Sequence, residues 1–65
     1  MKVKTIEQLL VLNEYFHGGY TFDIDKSEEA GYHVYLFNDG TYICDLGNHA
    51  EINYTNGETH NFWFN

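Results

Sequence analysis

Proline and arginine are both missing from this 65-residue chain, and cysteine occurs once. Without proline, no helix or strand interior is interrupted by a missing backbone N–H. A single cysteine excludes an intramolecular disulfide, and with no signal-peptide pattern in view the expected compartment is a reducing cytoplasm. The longest apolar run in the N-terminal region, Leu9 to Leu12, is far short of a membrane span, so no membrane role is expected. Positive charge is also scarce: three lysines face ten Asp and Glu, for a formal net charge of −7. Phosphate backbones are held mainly by Lys and Arg, so this balance argues against direct nucleic-acid binding. It attracts and steers basic partners instead.

Apolar and aromatic material, by contrast, is plentiful. Hydrophobic residues make up 43% of the chain, and six Tyr, five Phe and one Trp make 18% aromatic. Each aromatic ring buries about 150–250 Å², so a few of them furnish a thin core. The expectation is a single compact domain over residues 1–65.

Residues 4–16, KTIEQLLVLNEYF, read as one helix. Thr5 followed by Gln8 resembles a capping box, and Ile6, Leu9, Leu10, Asn13 and Phe16 share a largely apolar face. Gly18 and Gly19 end it. The period then changes. Tyr20–Ile24, Tyr32–Phe37, Thr41–Leu46, His49–Tyr54 and Thr59–Phe64 are aromatic and β-branched, separated by turn chemistry at Lys26–Gly31, NDG, GN and TNG. The predicted fold is α+β: one N-terminal helix packed on an antiparallel β-meander of four or five short strands.

A three-residue loop Thr55-Asn56-Gly57 pairs Tyr54 with Glu58 and Ile52 with His60. That register puts Ala50, Ile52, Tyr54, Phe62 and Phe64 on one face. In the central hairpin, a two-residue Asp39-Gly40 turn groups Val34, Leu36 and Ile43 against Tyr35, Phe37 and Tyr42. A three-residue Asn38-Asp39-Gly40 loop changes those partners. Either way both faces carry large apolar groups, and one helix covers only one of them.

The chemistry-bearing residues are mostly carboxylates. In TFDIDKSEEAGY, Asp23, Asp25, Glu28 and Glu29 crowd around Lys26. Asp23 and Asp25 are expected on a strand, pointing the same way about 6.6–6.8 Å apart. Glu51 and Glu58 lie on or beside the last hairpin. Held by a sheet, such charges imitate the anionic backbone of nucleic acid; the bland alternative is a solvated edge that blocks strand aggregation. Tyr35 and Tyr42 are the candidate aromatic contacts, and sheet core is the alternative reading for both.

His17, His33, His49 and His60 are widely spaced and form no metal motif with Cys44, so neither a metal nor another cofactor is expected. His33 and Asp45 are placed to meet across the central hairpin. The lone Ser27 sits in a charged segment, Cys44 reads as a small buried hydrophobe, and HGGY lacks the strand and lysine of a phosphate loop. No catalytic residue is assigned, and the chain reads as a non-enzyme.

In size, net charge, FDIDKSEE and dispersed sheet acids, the chain resembles small acidic phage-encoded anti-defence proteins of the DNA-mimic anti-CRISPR type. The resemblance implies a monomeric inhibitor in the host bacterial cytoplasm. It would occupy the PAM- or DNA-binding subunit of a CRISPR effector through Asp23, Asp25, Glu28, Glu29, Glu51, Glu58, Tyr35 and Tyr42. Two other classes fit the same composition: an antitoxin- or immunity-like protein that neutralises a basic toxin, and a self-associating phage structural or regulatory protein.

Overall fold

The computed structural model describes residues 3–64. Thr5 caps the first helix: its Oγ1 accepts the Gln8 N–H at 3.2 Å, and Gln8 Oε1 accepts the Lys4 N–H at 2.7 Å. The backward bond thus ends one residue before the cap, a shifted form of the capping box. Helix α1 spans Ile6–His17 and stops at Gly18, whose φ of 84° suits glycine. A Cβ at Gly18 would also lie 3.0 Å from that of Asn38.

Leu9, Leu10 and Asn13 are the buried residues of α1. Phe16, expected among them, is 73% exposed. The buried stripe follows the i+4 row from Leu9 to Asn13 to His17, which leaves Phe16 rotated outward. Asn13 remains satisfied inside because its Nδ2 donates to the Leu9 carbonyl at 2.8 Å.

Five strands follow, β1 (Tyr20–Phe22), β2 (His33–Phe37), β3 (Tyr42–Asp45), β4 (His49–Asn53) and β5 (Thr59–Trp63). They form one antiparallel sheet in the order β1-β2-β3-β4-β5, so the fold is α+β with a meander sheet. The last hairpin has the expected register, with Ile52 opposite His60 and Tyr54 N–H donating to the Glu58 carbonyl at 2.9 Å. In the central hairpin Phe37 N–H donates to the Thr41 carbonyl at 2.8 Å, which closes a three-residue loop over Asn38-Asp39-Gly40. Tyr35 then faces Ile43, and Leu36 faces Tyr42. Tyr35 and Tyr42 therefore lie on opposite faces of the sheet.

Between β1 and β2 the structure corrects the sequence reading. Ile24–Ala30 is a second helix, α2, with Asp23 as its N-cap and Gly31 as a left-handed C-cap. Asp23 and Asp25 are not strand neighbours. Backbone accounting gives the reason. Asp23 N–H donates to the Val34 carbonyl at 2.8 Å, and Ser27 Oγ accepts the Val34 N–H at 2.8 Å. One backbone bond and one side chain thus finish the β2 edge where β1 stops, and the chain between them is free to coil.

The first sheet face carries Phe37, Ile43, Ala50 and Ile52, which pack with Leu9 and Leu10 of α1. On the second face, Val34 and Cys44 are also buried, at 3% and 4% exposure. Helix α2 packs on β2 and leans over this face, placing the Lys26 ammonium 5.0 Å from the centre of the Tyr42 ring. A second helix therefore supplies cover that one helix cannot.

The end of α1 is tied to the β2–β3 loop. His17 Nδ1 lies 2.7 Å from Asp39 Oδ2, Asp39 Oδ1 accepts the Thr41 N–H at 2.8 Å, and Asn38 N–H donates to the Gly19 carbonyl at 2.9 Å. The Thr41 backbone bond, helped by His17, holds the Asp39 carboxyl below its ordinary value despite some desolvation.

Two tests follow from this packing. Ser27→Ala strands the buried Val34 N–H, and urea denaturation should show a loss of about 1–3 kcal/mol. Asp39 is depressed in the folded state, so its stabilisation is fully present above the unfolded carboxylate value and fades as pH falls through the folded one. Asp39→Asn should accordingly flatten the acid limb of a plot of melting temperature against pH. An unchanged acid limb would remove Asp39 from the dock.

Candidate partner-binding surface

The sequence DIDKSEEAG builds its acidic surface through helical spacing rather than strand alternation. Asp25, Glu28 and Glu29 stand at i, i+3 and i+4, so they share one side of α2 with neighbouring Cβ atoms about 5–6 Å apart. All three are exposed, while Ser27, on the opposite side, is buried against β2. Among the described residues none of the three forms an ion pair. The one lysine of the helix is turned toward Tyr42.

Asp23 has a different role from its neighbours. Its Oδ1 accepts the Lys26 N–H at 3.0 Å, so the carboxylate serves as a cap. Asp25, in the first turn, also suits the positive end of the helix dipole. Glu28 and Glu29 oppose the dipole: they lie toward the C-terminal end, where α2 has no basic residue. Helix stability therefore gives no reason for them.

Apolar groups border Glu28. Phe22, Ile24, Tyr32 and His33 join Ser27, Glu28 and Gly31 around an open hollow of about 250 Å³. Ile24 is 60% exposed beside this hollow. Tyr32 lies beside Cys44. That thiol, followed by burial, pushes the Tyr32 phenol above its ordinary value, while burial followed by Glu51 raises Cys44. Both groups stay protonated and uncharged at neutral pH.

The remaining expected contacts are dispersed. Glu51, on β4, shares the second face with Cys44 and accepts from Asn53 Nδ2 at 3.3 Å. Glu58 belongs to the β4–β5 loop, where its Oε1 accepts from Asn56 Nδ2 at 2.8 Å, and it is not brought near α2. Tyr42 stays with the α2 side, beneath Lys26. Tyr35 lies on the α1 face, half-buried beside Tyr20 at 6.0 Å between ring centres. Burial, then Asp45 and Glu7, raises its phenol. His33 pairs with Asp45 in register across the central hairpin, as expected.

Two features escaped sequence reasoning. One is α2 itself, although Asp23 before Ile24 is a recognisable helix start signal and Gly31 after Ala30 a stop signal. The other is the outer side of α1, where Val11 and Tyr15 are 51% and 84% exposed beside Glu7 and Glu14. No grouping of three or more His, Cys, Asp or Glu suited to a metal occurs among the described residues, and none of their helices is long and apolar enough to cross a membrane. The chain matches no family model, no curated protein and no solved structure.

The division of labour within α2 is testable by thermal melts. Asp23→Ala should cost about 0.5–2 kcal/mol through loss of the cap. The triple change Asp25→Asn, Glu28→Gln, Glu29→Gln should stay within about 0.5 kcal/mol of the parent, as surface substitutions usually do. A triple variant that unfolds would mean that these acids support the fold.

Proposed function

We propose that this protein is a non-enzymatic inhibitor that presents α2 to a basic, nucleic-acid-binding site on a bacterial defence complex, with a CRISPR effector the first candidate. In that site Asp25, Glu28 and Glu29 take the place of DNA phosphates. The observation that carries the reading is the unpaired, exposed trio on α2, two of whose members oppose the helix dipole. Carboxylates that do nothing for their own helix are accounted for by a partner that neutralises them.

The neighbouring apolar residues support the same assignment. Charge steers encounter and selects partners, whereas desolvated aromatic and aliphatic anchors slow dissociation. Ile24, Phe22 and Tyr32 border Glu28 and supply such anchors. Glu51 and Tyr42 extend the surface across the second sheet face, while Asp23 shapes it as a cap. Tyr35 and Glu58 fall outside it.

The experiment is affinity capture from a defence-competent bacterial lysate, repeated with target duplex DNA as competitor and with the Asp25/Glu28/Glu29 triple variant as bait. A CRISPR effector captured by the parent, displaced by duplex and bound at least about tenfold more weakly by the folded triple variant is the expected result. Capture of a basic toxin would move the assignment to an immunity-like protein. Capture of an effector equally by parent and triple variant would end the mimicry reading.

A further inference from the structure

The two edges of the sheet differ in length and charge. Strand β1 is three residues long and leads directly into Asp23 and the acids of α2, and short length and charge both guard an open edge. Strand β5, at the other edge, spans five residues, and among the described residues nothing bonds its outward backbone groups. Tyr54 N–H bonds the Glu58 carbonyl and Phe64 N–H bonds the Asn48 carbonyl, so the even-numbered residues of this strand point their backbone groups at β4. By the alternation of an antiparallel ladder, Thr59, Asn61 and Trp63 point theirs outward. The strand, Thr-His-Asn-Phe-Trp, contains no lysine, acid or proline, the usual guards of an open edge.

We infer that β5 pairs with β5 of a second copy, antiparallel about a two-fold axis at Asn61, to make a continuous ten-stranded sheet from two sheets of five. The phase of the outward groups allows this register: Asn61 meets Asn61 of the other copy, and Thr59 meets Trp63, each as a hydrogen-bonded pair. His60 then lies across from Phe62 on the α1 face. The self-pairing places no ionised residue of either strand opposite another.

That last point selects the occupant. With a net charge of −7 per chain, two copies repel each other almost wherever they touch. On the outer side of α1, pairing would bring Glu7 and Glu14 of both copies together around Val11 and Tyr15. Strand β5 itself carries no acid; the nearest are Glu51, opposite Asn61 on β4, and Glu58, just before Thr59. Across the axis the two Glu51-bearing strands lie three strand spacings apart, about 14 Å, and the two Glu58 residues lie at opposite ends of the pair, beyond the ~8 Å screening length at physiological salt. The inference does not depend on the inhibitor reading, and the α2 surface stays open in the dimer.

Sedimentation equilibrium of the intact chain over about 10 µM to about 1 mM tests it. The expected mass climbs from monomer to dimer, and the transition moves to lower concentration as salt is raised, because screening relieves the repulsion between copies. Asn61→Pro removes an outward N–H without touching the β4 ladder, and Asn61→Asp sets two carboxylates across the axis, each also beside Glu51. Each should shift the midpoint at least about tenfold to higher concentration. Should the proline variant fail to fold, the aspartate variant decides. Tyr15→Gln, which keeps the net charge, should leave the midpoint in place. A parent that remains monomeric throughout overturns the proposal, as does a dimer that survives Asn61→Asp or is lost in Tyr15→Gln.

Discussion

The Phe37 N–H to Thr41 carbonyl bond, 2.8 Å long, sets the side on which every residue of the central hairpin stands. It closes the loop over three residues, and a slip of one would exchange the two faces of β2 relative to β3. With this register Phe37 and Ile43 join the α1 face, while Val34 and Cys44 go to the other. Asp39 secures the loop from within through the Thr41 N–H and from outside through His17. The end of α1 is thereby held at the position from which Leu9 and Leu10 reach the sheet. One carboxylate, accepting from both sides, thus links the end of the helix to the hairpin loop.

A sheet with apolar residues on both faces needs cover on both. Helix α1 closes the first face, and the short α2 closes part of the second by resting Ser27 and Lys26 on β2 and Tyr42. The same placement turns Asp25, Glu28 and Glu29 toward solvent. Covering the core and displaying the acids are thus one structural event. The last edge strand, β5, carries no acid of its own, so the charge is concentrated at α2 rather than along that strand. A charged surface suits a partner of opposite sign, and a neutral edge suits a like molecule.

Much of the architecture is written in local patterns. Thr5 and Gln8 marked the start of α1, Gly18 its end, and the TNG turn fixed the β4–β5 register because the αL glycine selects the loop length. The candidate surface was legible only in part. The acidity of Asp25, Glu28 and Glu29 is plain in the sequence but their helical geometry is not, since TFDID alternates like a strand and the competing cap signals at Asp23 and Gly31 are short-range. One hairpin register groups Tyr35 with Tyr42 and the other separates them. The spacing of Phe16 fits an apolar stripe as well as that of His17 does, so periodicity alone does not turn it outward.

By itself the sequence determined the composition of the chain, its acidity, the order of most of its elements and the closing hairpin. Each of these depends on charge count or on neighbours a few residues apart. Only tertiary structure decided which face of the central hairpin met α1, that the acidic segment coiled into α2, and that β5 was left open. Those outcomes depend on where distant backbone groups find partners: Val34 with Asp23 and Ser27, and Asp39 with His17 and Thr41. Hydrogen-bond satisfaction across the fold is a global condition, and no local window of residues contains it.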